Sequence, residues 1–169
     1  AFEAGVATEH PSQTAAWFDY DGDGRLDVYV GNETNEVGEH PCELFHNNGE
    51  GTFTECAAAT GVMVFGVVKG VTAGDFNNDG RPDLYVSRRG RPNVLLRNDG
   101  PKPGGGRCGW GFTDVTAEAG VGEPVFSFPT WFFDYDNDGW QDIFVSGYQF
   151  NGPKDVAADY LGLPHMPDP

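Results

Sequence analysis

Basic residues are scarce in this chain: ten Lys and Arg stand against 26 Asp and Glu, a formal net charge of −16 over 169 residues. A surface so poor in cations has little to offer phosphate groups, which excludes nucleic acid as a partner class. Cysteine is also sparse. Three residues, an odd count, cannot form a dense disulfide framework. The four histidines (His10, His40, His46 and His165) are scattered and form no ligand spacing, so no zinc motif is written along the chain. No apolar run approaches the roughly 20 residues of a membrane-spanning helix. No secretory leader is visible at the start either, although an interior fragment would carry none. What the chain does have is 25 Gly and 12 Pro, the material of short strands and many turns.

The acidic residues are concentrated. A nine-residue loop occurs three times, as Asp19–Asp27, Asp75–Asp83 and Asp134–Asp142. Side-chain oxygens stand at loop positions 1, 3, 5 and 9: Asp19, Asp21, Asp23 and Asp27; Asp75, Asn77, Asp79 and Asp83; Asp134, Asp136, Asp138 and Asp142. Glycine at position 6 permits a sharp turn, and position 7 (Arg25, Arg81, Trp140) supplies a backbone carbonyl, so the set is that of a hard cation with many oxygen ligands. Carboxylates about 5 Å apart repel by roughly 3 kcal/mol per pair at an effective dielectric near 20, so convergent Asp residues require a counter-ion. Calcium suits this set. Magnesium keeps more of its water, and zinc prefers nitrogen and sulfur. Three ions would bring the net charge to about −10, counting +2 each against −16. Loop two is expected to bind most weakly, because Asn77 replaces a charged ligand.

These are not EF-hands, because position 12 is Val30, Val86 or Val145 rather than a bidentate Glu. Each loop runs instead into a short β-branched and aromatic segment, Val28-Tyr29-Val30, Leu84-Tyr85-Val86 or Ile143-Phe144-Val145, and therefore joins two strands. Ala4-Gly5-Val6, Thr60-Gly61-Val62 and Ala119-Gly120-Val121 form a second landmark, each Gly lying 14 residues before the next loop. The resulting period is 56 and then 59 residues. A hairpin signature, Leu44 to Thr54, is echoed by Leu95 to Gly100 and, after an insertion, Gly111 to Asp114. About four strands per repeat make an all-β propeller blade. The expected organisation is the end of a preceding blade in 1–13, repeat 1 in 14–69, repeat 2 in 70–128 and a truncated repeat 3 in 129–169, with a short helix near 154–161. Such an incomplete array needs further blades, from the rest of the polypeptide or from other chains in an oligomer or filament.

These loops, the Asn-Asn-Gly-Glu-Gly-Thr-Phe hairpin and the Ala-Gly-Val ending resemble the FG-GAP/VCBS repeats of integrin α-subunit propellers. They are most similar to the cartilage acidic protein (ASPIC/UnbV-type) group. The resemblance implies a propeller, usually seven-bladed, with calcium between the first two strands of each blade and an extracellular or cell-envelope setting. The functional expectation is a non-catalytic calcium-binding module for adhesion, protein or glycan interaction, or assembly. The alternative is the propeller scaffold of a polysaccharide lyase or hydrolase; the concentrated carboxylates are committed to the loops, which leaves no readable catalytic set.

Several smaller expectations can be stated. If Phe45 faces Phe53, Cys42 faces Cys56 in the same register and the two form a disulfide, leaving Cys108 without an obvious mate. Asn32-Glu33-Thr34 is a glycosylation sequon. Trp17, Phe18, Trp131, Phe132 and Phe133 are expected to pack between blades rather than to form a carbohydrate-stacking platform, and Arg88, Arg89 and Arg91 to form a basic patch that is a solvated loop or a partner for the acidic surface.

Overall fold

The computed structural model describes residues 2–147. The helix expected near 154–161 lies outside them. Two four-stranded antiparallel sheets follow one another along the chain. The first comprises β1 (Ser12–Phe18), β2 (Asp27–Asn32), β3 (Glu43–Gly49) and β4 (Thr52–Glu55). After the one-turn helix α1 (Ala57–Thr60), the second comprises β5 (Val67–Gly74), β6 (Asp83–Arg89), β7 (Val94–Pro101) and β8 (Trp110–Asp114). A second one-turn helix, α2 (Thr116–Ala119), leads to the pair β9 (Ser127–Phe133) and β10 (Asp142–Gly147). In all three units the acidic loop connects the first two strands. The architecture is nearly all-β, made of incomplete propeller blades.

The blades stack through alternating faces. On β6, Leu84 and Val86 belong to a core shared with the first sheet, including Phe18, Tyr29, Leu44, Val62 and Val68. The intervening Tyr85 joins Leu95 and Val115 in a second core, against which Phe132, Ile143 and Val145 pack. Period-two patterning thus sends each strand's side chains to two different neighbouring blades. The first strands adjoin, β1 against β5 and β5 against β9. Their approach is close enough to demand glycine: a Cβ on Gly70 would lie 2.8 Å from the Phe128 carbonyl oxygen and 2.8 Å from Ser87 Oγ.

The Gly of the second landmark closes a helix. Gly61 (φ 91°) and Gly120 (φ 70°) end α1 and α2 in the left-handed conformation, which L-residues avoid. This turn directs the Val62 carbonyl to the Tyr29 hydroxyl (2.8 Å) and the Val121 carbonyl to that of Tyr85 (2.7 Å). The Tyr that follows the acidic loop therefore locks the landmark that ends the repeat, at a net gain of about 1 kcal/mol per bond.

Three expectations need correction. The β3–β4 register is Phe45↔Glu55 and Asn47↔Phe53, not Phe45↔Phe53. Glu50 (φ 57°) and Gly51 (φ 75°) form the two-residue turn, and an irregularity between Asn47 and Gly49 shifts the ladder. Cys56 is consequently not opposite Cys42. It is bonded to Cys108, 52 residues away, while Cys42 is a buried free thiol. The Cys108 insertion between β7 and β8 is thereby tied to the end of the first sheet. Arg88, second, does not lie in a solvated loop: its guanidinium donates to the Pro92 and Phe65 carbonyls, whereas Arg89 and Arg91 are exposed and Arg91 lies 3.9 Å from Glu39. Third, core packing of the aromatic residues is only partial: Phe18 is buried, whereas Trp17 is 60% exposed and Trp131 45%. Trp131 stacks on Phe144 with ring centroids 4.2 Å apart, on the face turned away from the second sheet.

Candidate metal centres

The three acidic loops share one hydrogen-bonded conformation. In the first, Asp19 Oδ1 accepts from the Asp23 amide (3.1 Å), and Asp19 Oδ2 from the Gly24 amide (2.8 Å). Asp23 Oδ1 accepts from the Arg25 amide (2.9 Å). Asp75 and Asp79 repeat this with Gly80 and Arg81, and Asp134 and Asp138 with Gly139 and Trp140. The position-3 side chains, Asp21, Asn77 and Asp136, accept from the position-5 amide in each loop. Positions 4 and 6 are left-handed throughout: Gly22, Asn78 and Asn137 at φ 54–70°, and Gly24, Gly80 and Gly139 at φ 82–88°. Only Gly and Asn adopt that conformation readily, which accounts for their recurrence.

Position 9 opens the second strand and turns inward. Asp27 receives the amides of Tyr20 (3.2 Å) and Asn47 (2.7 Å); Asp83 receives those of Phe76 (3.2 Å) and Asn98 (2.7 Å). Both carboxyls are buried. Desolvation pushes them up to about 6, against the opposing pull of these amides. Asp142 receives the Tyr135 amide (3.0 Å) but is exposed. Asp21 is also raised, by burial and then by the charge of Asp23.

Carboxylate oxygens of Asp19, Asp21 and Asp23 lie within 4.8 Å of one another, as do those of Asp134, Asp136 and Asp142. In loop two Asn77 Nδ2 instead donates to Asp79 Oδ2 (2.9 Å). Arg25 and Arg81 pair with Asp23 and Asp79, while their Nε atoms donate to the Asn47 and Asn98 carbonyls (2.9 Å each). Each carboxylate oxygen that accepts one amide keeps a further lone pair. Convergent, partly desolvated oxygens of this kind fit a hard divalent cation. The acidic loops join the first two strands of each unit, as the sequence led us to expect, whereas His46 was not among the residues it singled out. It reaches Asp21 and Asp27 only through the pairing of β2 with β3, 25 residues along the chain from Asp21, and no local spacing announces it.

Two other sequence features acquire a structural explanation. Asn32 of the sequon is buried, its Nδ2 donating to the Pro41 carbonyl (2.7 Å) and Glu43 Oε2 (2.9 Å), so in the folded chain this amide is engaged inside the sheet. His10 and His40, distant in sequence, place their Nδ1 atoms 3.0 Å apart.

Comparison with known proteins identifies the repeat. The chain is 29% identical over 145 residues to cartilage acidic protein 1 of Xenopus tropicalis, covering 85% of this chain and 21% of that relative. It is 38% identical over 72 residues to cartilage acidic protein 1 of Homo sapiens, covering 41% of this chain and 10% of that protein. The chain therefore spans about a fifth of the length of the first relative and a tenth of the second. The model of the FG-GAP-like repeat matches residues 19–86 and 75–145, so that each match begins at an acidic loop, and the chain belongs to the FG-GAP-like repeat family.

Proposed function

We propose that this chain is a calcium-stabilised, non-catalytic propeller segment that acts outside the cell in adhesion, protein or glycan interaction, or assembly. The threefold recurrence of one carboxylate-lined loop, always between the first two strands of a blade, carries the reading. Calcium would be held by Asp19, Asp21, Asp23 and Asp27; by Asp75, Asn77, Asp79 and Asp83; and by Asp134, Asp136, Asp138 and Asp142. The carbonyls of Arg25, Arg81 and Trp140 would add a backbone ligand to each set. The ions neutralise carboxylates that otherwise repel, and so fix the turns that aim each blade's second strand. The disulfide and the relationship to cartilage acidic protein 1 support an oxidising, extracellular setting. Trp17 on the first sheet and Trp131, Phe133 and Phe144 on the last pair are exposed apolar side chains on the terminal faces, which further blades would cover.

Calorimetric titration of metal-free protein with calcium tests the metal reading. Three equivalents are expected, with the loop containing Asn77 weakest, and Asp83→Asn should abolish one of them. A stoichiometry of zero would refute it.

A further inference from the structure

Beside loop one stands a nitrogen that the calcium chemistry does not use. His46 is 5% exposed, and its Nδ1 is, among the described residues, the one buried side-chain nitrogen or oxygen without a hydrogen-bond partner. Leaving such an atom unpaired is unfavourable, because nothing replaces the water it lost on burial. Nδ1 lies 3.4 Å from Asp21 Oδ2 and 3.4 Å from Asp27 Oδ1, equidistant from the two and hydrogen-bonded to neither. Tyr20 packs edge-on against the imidazole, with ring centroids 5.9 Å apart. The three ligand atoms lie within 4.8 Å of one another. A separation of about 3.4 Å is the edge of a tetrahedron whose corners are about 2.1 Å from its centre, the bond length of zinc to imidazole nitrogen and carboxylate oxygen.

We propose that His46 Nδ1, Asp21 and Asp27 form a binding site for a borderline divalent transition metal, with zinc the reference ligand, and that this makes loop one chemically unlike loop two. An imidazole nitrogen adds nothing to an oxygen-seeking calcium ion but favours zinc and its neighbours in the transition series. Repeat two lacks the device: Arg97 occupies the matching place in the hairpin and pairs with Asp99. Asp21 and Asp27 also belong to the calcium set of loop one, so the two metals compete there. The inference rests on the reading of loop one as a cation site and adds a selectivity that loop two does not share.

Metal-free protein is titrated with zinc and with calcium, separately and together, alongside His46→Gln, His46→Arg and the double variant His10→Gln/His40→Gln. One tight zinc equivalent is expected, and saturating zinc should lower calcium stoichiometry from three to two. His46→Gln should weaken zinc by roughly 100-fold or more, since even the loss of an outer-shell partner costs 10–100-fold, and should restore three calcium ions. The 15N spectrum of the wild-type histidines provides a readout that requires no variant to fold: zinc should shift the ring nitrogens of a buried imidazole. Zinc affinity that is unchanged in the His46 variants but lost in the His10/His40 variant would overturn the proposal, as would three calcium ions with no zinc bound. Failure of calcium at all three loops would instead refute the calcium reading, and a His46-dependent zinc site would survive it.

Discussion

Breaking the Cys56–Cys108 bond should cost far more than altering Cys42. The bond joins residues 52 apart in sequence, and in the chain-entropy model a closed loop of that length lowers the entropy of the unfolded chain by an amount worth about 4 kcal/mol at 25 °C. Against a typical domain stability of roughly 5–15 kcal/mol, this is a large fraction. Cys56→Ala and Cys108→Ala remove the same crosslink, so each single variant and the double variant should lose a similar amount, with strong non-additivity in the cycle. Cys42→Ala removes one buried sulfur and opens a small cavity, worth about 1 kcal/mol. Urea unfolding of the oxidised and variant proteins in calcium measures the differences, and non-reducing peptide mapping identifies the linked pair. A Cys42–Cys56 peptide, or a Cys108→Ala variant within 1 kcal/mol of wild type, would refute the reasoning.

Two further outcomes follow from the packing and the buried acids. Gly70→Ala should destabilise by about 1–3 kcal/mol, because its Cβ meets the Phe128 backbone carbonyl; Gly38→Ala, where nothing lies within 4 Å, should be close to neutral in the same unfolding assay. In metal-free protein, Asp27 and Asp83 have folded pKa values of about 6, above the ordinary 3.8, so the folded state binds more protons than the unfolded state between those values. Stability should therefore be highest below pH 4 on their account and fall through pH 6, by up to about 3 kcal/mol per group. Saturating calcium should remove the fall, and Asp27→Asn should remove one share of it. Metal-free stability that rises steadily from pH 4 to 7 would contradict this.

The repeat, its strands and the position of every acidic loop could be read from residue order, because their causes are local. Asp at alternate loop positions, Gly or Asn where φ is positive, and a β-branched run after position 9 act within nine to twelve residues. The landmark Gly was visible for the same reason, although its work as a helix stop and the Tyr29–Val62 bond that depends on it appeared only in three dimensions. The partner of Cys56 depended on the register of one hairpin, where a two-residue turn and an irregularity moved Cys42 out of line. Cys108 then reached it across the interface between two sheets. The position of His46 beside Asp21 and Asp27 likewise depended on the pairing of β2 with β3, since the distance between a buried nitrogen and two carboxylates is set by packing. Sequence by itself determined the elements that one turn or one strand can specify; the tertiary structure decided which distant side chains share a low-dielectric space, because only folding brings those groups together and removes the water between them.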